Sequence, residues 1–349
     1  MIKEKEKLPK NVQEDLEFME DPNVVGTFVK DGTRYIMVKH ELPMADARKY
    51  EEAGIKVLVT GEFKPLLKEG EKGPFERPGR YRPILGGISV GHYKITAGTL
   101  GVILKDRDND DVILSNNHVL ACSSSVRKRR AEVNDDILQP GRYDGGLRPQ
   151  DRVAGLKKWV PIDENGINYI DAAIAKIDQG VGFKYEIMGL PYPKSFGVAK
   201  VNEFVKKSGR TTEVTSGPVY TDNATITVNY GEFIATFTDL YLVINPFGAP
   251  GDSGSAVLNS KDELVGLLFA GSMSHTAVCK IGKVVDAFGL KLPGGETPPP
   301  SPPPPTGKRY AGKVKMRGRG KGYVMAGDYK IPIQLDLELE GEEEGSVED

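Results

Sequence analysis

The chain has 349 residues, 39% of them hydrophobic and 28% charged, with a formal net charge of −2. That composition belongs to a globular protein with room for about two domains, and it excludes a chain drawn as a whole to nucleic acid or to a membrane surface. The 41 glycines and 24 prolines, set among runs of Val, Ile and Thr, predict a turn-rich β protein. Cys122 and Cys279 stand far apart and lack metal-ligand spacing. They read as reduced core thiols of a cytoplasmic protein, not as a disulfide framework.

Residues 1–22 are a charged N-terminal segment, in which Asn11 to Met19 predicts a short helix capped by Asn11. The first residues have no apolar leader, and no run of about 18 apolar residues occurs later, so neither export nor a membrane is expected. A small α/β unit is predicted over 23–68. Val24 to Val29 and Tyr35 to Val38 flank the Asp31-Gly32 hairpin turn, Ala45 to Ala53 is helical and stops at Gly54, and Ile55 to Gly61 is a third strand. The unit is too short to hold much core alone, so it is expected to pack on the larger β region C-terminal to it.

A Gly/Pro/Arg-rich link leads to residues 84–293, where short strands recur between turns, the pattern of an all-β sandwich or barrel. Thr99 to Leu104 and Asp111 to Ser115 flank an acidic tip, Asp106 to Asp110. Its alternating aspartates suggest calcium, but the glycine and glutamate of an EF-hand loop are absent, and a solvated hairpin tip is the favoured reading. Ile281 to Leu290 predicts a closing helix. Residues 294–307 are a proline-rich linker of extended polyproline. Residues 308–349 predict a small β module with an acidic tail. Its basic cluster, from Lys308 to Lys321, has few nearby aromatics and an acidic neighbour, so nucleic acid is not an expected partner.

The chemistry centres on Gly251-Asp252-Ser253-Gly254-Ser255. Glycines beside a serine leave its hydroxyl unobstructed and let neighbouring N–H groups converge as an oxyanion hole. Alone, the stretch reads equally well as a structural turn. A serine nucleophile needs a base and a carboxylate to orient that base. Of the four histidines, His118 stands where an apolar strand gives way to small polar residues, although alone it reads more simply as a core histidine. Asp171 heads the buried strand Asp171-Ala172-Ala173-Ile174-Ala175, where a charge needs a strong partner.

His118, Asp171 and Ser253 follow the order His, Asp, Ser of the chymotrypsin/trypsin-like serine proteases, in local text that resembles theirs. Lys207-Ser208-Gly209-Arg210-Thr211-Thr212 is similar to the strand-turn that precedes the nucleophile in bacterial members. More narrowly, Gly86 to Gly101, Ser115 to Leu120 and Ile137 to Gly141 resemble the bacterial trypsin-like peptidases related to the plant Narrow-leaf protease. The resemblance covers about residues 20–292. It implies an all-β fold, a chymotrypsin-like double β-barrel carrying the small N-terminal α/β unit, to which the alternation within 308–349 adds the C-terminal β module.

The resemblance further implies a serine endopeptidase. His118, Asp171 and Ser253 would be catalytic, the N–H groups of Gly251 and Ser253 would form the oxyanion hole, and no metal or organic cofactor is needed. Phe247 stands where trypsin carries the acid that reads Lys or Arg. With Phe269 and Gly271 it would line a specificity pocket for a small or apolar side chain. Phe269-Ala270-Gly271 departs from the family's usual Ser-Trp-Gly, which leaves the support of Asp171 unassigned, and maturation by a freed N-terminus has no visible signal. The expected partner is a protein or peptide substrate, with residues 308–349 recruiting a partner or substrate and homo-oligomerisation left open. A self-processing protease and a non-turnover, chaperone-like scaffold are the alternative functions.

Overall fold

The structure, a computed structural model, describes residues 8–66 and 79–294, and within the C-terminal stretch the strand residues 310–312, 320–326, 329–335 and 345–347. The polyproline, most of the basic cluster and the first seven residues lie outside the described residues. The chain divides into two compact units, Met1–Pro299 and Pro300–Asp349.

The larger unit is built from two sheets that close on themselves. In the first, Ser89–His92 pairs with Asp136–Leu138, then in turn come Arg152–Trp159, Ala173–Ile177, Asp111–Ser115 and Val102–Lys105. Gly98–Thr99, just before the last of these, pairs back with Ser89–His92 and completes the circle. Six strand positions alternate their apolar residues inward around a core that includes Ile88, Ile103, Ile113, Ile137 and Leu156.

The second circle runs Phe204–Gly209, Glu213–Asn229, Ile234–Ile244, His275–Lys280, Leu264–Gly271 and Ala256–Leu258, which returns to Phe204–Gly209. The long strand Glu213–Asn229 closes it, because its first half pairs with Phe204–Gly209 and its second with Ile234–Ile244. Two six-stranded antiparallel barrels in sequence make the chymotrypsin-like double β-barrel. A helix, Ile281–Phe288, follows the last barrel strand and ends at Gly289, whose φ of +66° suits glycine.

The N-terminal residues are part of this body. A helix, Lys10–Phe18, precedes the hairpin Val24–Lys30 and Thr33–Val38. A second helix, Met44–Glu52, leads to Lys56–Val59, which runs parallel to the hairpin's second strand. The first helix starts after Pro9, whose carbonyl accepts the Val12 and Gln13 N–H groups, so Asn11 does not cap it. Val24–Lys30 then adds to the edge of the second barrel, with Gly26 opposite Ile226. Phe28 stacks on Tyr35 at 4.7 Å and meets Tyr220 edge-on.

The acidic tip is not simply solvated. Asp106 is buried and accepts the Asp108 and Asp110 N–H groups, and the ammonium of Lys157 sits among the carboxylates of Asp106, Asp108 and Asp110. A lysine therefore fills the space between these acids. In the C-terminal unit, Gly320–Ala326 and Tyr329–Leu335 form an antiparallel hairpin, and Tyr310–Gly312 pairs with Gly345–Val347.

Candidate active site

The strand Asp111–Ser115 ends in a single helical turn, Asn117–Leu120, which carries His118. Its neighbour across the first barrel is Ala173–Ile177, paired at Ser115–Ala173, so Asp171 is delivered beside His118. His118 Nδ1 lies 2.6 Å from Asp171 Oδ2, and the His118 backbone N–H donates to Asp171 Oδ1 at 3.2 Å. Both side chains are fully buried. A carboxylate bonded at Nδ1 fixes the tautomer that leaves Nε2 as the acceptor. Nε2 is itself buried and has no hydrogen-bond partner.

The support for Asp171 comes from a residue that sequence reasoning missed. Tyr230 donates its hydroxyl to Asp171 Oδ2 at 2.7 Å, and its ring meets His118 edge-on at 6.3 Å. It stands at the turn between the strands Glu213–Asn229 and Ile234–Ile244. Burial and the Asp171 charge push its phenol well above the ordinary tyrosine range, so it remains a donor. Cys279 closes the far side, its thiol accepting the Asp171 N–H at 3.4 Å. Burial raises that thiol as well, and it pushes Cys122 up to about 12, which fits two unreactive thiols.

Ser253 enters from the second barrel, in the loop before Ala256–Leu258. Its carbonyl accepts the Thr99 N–H at 2.7 Å, and Thr99 Oγ1 donates to the Gly251 carbonyl at 2.9 Å, so the loop is tied to the first barrel on both sides of the serine. The Ser253 hydroxyl donates to the Phe269 carbonyl at 3.1 Å and not to His118. Gly251 has φ +103°, and a side chain there would meet Thr211 Oγ1 at 2.2 Å. Only glycine suits such a backbone, and the turn it permits aims the Gly251 N–H out of the loop.

The loop is held from below by Asp252. Fully buried, it accepts the N–H groups of Thr211, Thr212 and Ala249 and faces the buried ammonium of Lys207 at 3.2 Å. Lys207 is the second residue missed. Phe204–Gly209 buries Val205, and the two-residue period puts Lys207 on the same inward face. A lysine on that face is the signal that was available. Arg210 adds a buried pair with Asp144, whose other donor is Ser89.

The predicted pocket residues separate by role. Phe247 is fully buried in an apolar cluster with Val219, Val243, Leu268 and Val278. The Phe269 ring points into the barrel core, 4.9 Å from Phe237, so this residue reaches the cleft through its carbonyl. Gly271 presents its α-carbon to the cleft, where an added side chain would meet Leu66 at 3.0 Å. Leu66 itself belongs to the Phe247 cluster.

No family model matches the chain, and no curated protein does. Solved structures similar to it include a protease from Nocardiopsis, 14% identical over 60% of this chain and 98% of that one, with a TM-score of 0.43. Thermobifida fusca protease A is 17% identical over 60% of this chain and 97% of that one, at 0.43. A glutamic acid-specific serine protease is 20% identical over 60% of this chain and 100% of that one, at 0.44. These structural neighbours are chymotrypsin-like serine proteases.

Proposed function

We propose that the chain is a serine endopeptidase that cleaves peptide bonds through an acyl-enzyme on Ser253. The observation that carries this reading is the state of His118. Its Nδ1 is committed to a buried aspartate while Nε2 is left without a partner, the arrangement of a general base awaiting a proton. The mechanism requires the Ser253 hydroxyl to leave the Phe269 carbonyl for that nitrogen. Ser253 would then attack a substrate carbonyl as His118 takes its proton, and Asp171 and Tyr230 would hold the imidazole through the charge change. The Gly251 N–H would receive the oxyanion, together with that of Ser253.

A fluorophosphonate, which phosphonylates an activated serine, tests this directly. Ser253 is expected to label in folded protein, with Ser253→Ala as the blank. Ser253 that stays unlabelled in folded wild type and in folded Leu66→Asp alike would remove the reading.

A further inference from the structure

His118, Asp171 and Ser253 are each 0% exposed, although the site they form must admit a polypeptide. What lies across it is the chain's own segment before residue 67. Lys64 and Pro65 pair antiparallel with Gly271 and Ala270, adding a short strand to the edge of Leu264–Gly271. One step further on, the Leu66 N–H donates to the Phe269 carbonyl at 3.4 Å, and the Leu66 carbonyl accepts the Gly251 N–H at 2.5 Å. The Leu66 side chain is 8% exposed and packs against Gly248, Gly271 and the apolar cluster of Phe247 and Leu268.

Each contact is one that a bound substrate would make. Strand addition fixes the direction and register of the peptide. An apolar pocket without a buried charge takes a leucine. The carbonyl that follows this side chain is bonded to the glycine N–H that stands two residues before the nucleophile. The same Phe269 carbonyl receives both the Leu66 N–H and the Ser253 hydroxyl, which sets the serine beside the residue whose carbonyl it would attack.

We propose that residues 62–66 are bound as the enzyme's own substrate and that the chain cuts itself after Leu66. The inference rests on the endopeptidase reading above. Ser253 Oγ bonds to the Leu66 carbonyl carbon while His118 Nε2 takes the hydroxyl proton. The tetrahedral oxyanion forms at the Gly251 N–H. The Leu66–Leu67 C–N bond then breaks and His118 returns the proton to the departing amine, leaving Leu66 as an ester on Ser253. One water attacks that ester, losing a proton to His118, which protonates Ser253 as it leaves. The products are a Leu66 carboxylate and a new amino terminus at Leu67.

The anchoring of the segment determines where the products go. Thr60 donates to the Val38 carbonyl at 3.0 Å, Asn229 donates to the Phe63 carbonyl at 3.0 Å, and Phe63 is fully buried in the main core. Residues 24–30 are a strand of the same sheet. The cut therefore does not release the N-terminal part, and the Leu66 carboxylate remains where the carbonyl lay. The reaction is self-limiting, and the fragment that made it possible is left as a product in the cleft.

Full-length protein decides the matter. Intact mass of wild type over time is expected to show fragments 1–66 and 67–349, which co-elute in native size exclusion, while Ser253→Ala stays whole. The fraction cut at a given time should not change on tenfold dilution, as befits an intramolecular step. Leu66→Ala, which removes apolar contacts without adding charge, should be cut about 10–200-fold more slowly. Leu66→Asp should resist the cut and label faster with fluorophosphonate than Leu66→Ala, because its segment leaves the pocket. Wild type that remains whole, or is cut elsewhere, while Leu66→Asp labels at Ser253 overturns self-cleavage and leaves the endopeptidase reading standing. Failure of every folded variant to label removes both.

Discussion

Tyr230 supplies the third contact of the Asp171 carboxylate, after the two from His118. A hydrogen bond to a charged group contributes about 1.5–3 kcal/mol, so Tyr230→Phe should lower kcat by about 10–100-fold with little change in KM. Steady-state kinetics on a peptide ester would show it. The residue was hidden in the sequence because Asn229-Tyr230-Gly231-Glu232 is ordinary turn text. Its role arises only when the second barrel closes and brings that turn over the first. Asp171 was legible for the opposite reason, since a charge at the head of an apolar strand demands a partner wherever the strand goes. The turn at Gly251 was legible because a positive φ needs a small residue locally, whereas the Ser253 hydroxyl, read from its glycine neighbours as unobstructed, is fully buried.

The loop from Pro250 to Ser255 and the strand Phe204–Gly209 act as one element through Lys207 and Asp252. Breaking a buried ion pair by removing one partner costs about 3–5 kcal/mol. Lys207→Met should therefore lower thermal stability markedly, and fluorophosphonate labelling of Ser253 should fall even below the new melting temperature, because the turn at Gly251 loses its foundation. Calorimetry with labelling at a fixed low temperature separates the two effects. The strand alternation that buries Val205 made Lys207 readable in principle, whereas its acidic partner could not be chosen from sequence, being 45 residues away and set by barrel register.

The strand His275–Lys280 carries a second element-scale consequence. Burial, with Lys30 nearby, pushes His275 down to about 4, and burial also lowers His92 in the first barrel. The unfolded chain binds a proton at His275 from about pH 6.5 downward while the folded chain does not until about 4. Stability is thus undiminished by this group above about pH 6.5 and falls as pH drops from there to about 4. Urea unfolding of wild type and His275→Gln should show a shallower slope for the variant across that window. The rest of the acid sensitivity would remain with His92 and the carboxylates.

At the scale of the molecule, the strand content, the closing helix and the His, Asp, Ser order were readable because each depends on local alternation or on small residues at turns. Barrel closure was reached through resemblance. It could not be read from periodicity, since the same alternation suits a sandwich. The fate of residues 60–66 was unreadable for a further reason. Lys64-Pro65-Leu66 reads as the end of the small α/β unit, and its place in the cleft is decided by the strands before it, which fix where the chain emerges.

On the endopeptidase reading, that emergence sets the terms on which any other peptide meets the cleft. A segment joined to its own binding site by a short connection competes as though present at about millimolar concentration. A separate substrate of similar sequence must match that figure before it displaces Leu66. Loosening the occupant, as in Leu66→Asp, should lower the apparent KM for an added leucyl peptide by about tenfold or more while kcat stays within about twofold, because the machinery is untouched and only the competitor has weakened. The protein would then behave as a protease whose idle state is set by sequence position and not by a separate inhibitor. Its appetite for other chains could be tuned by changing a few residues that perform no chemistry.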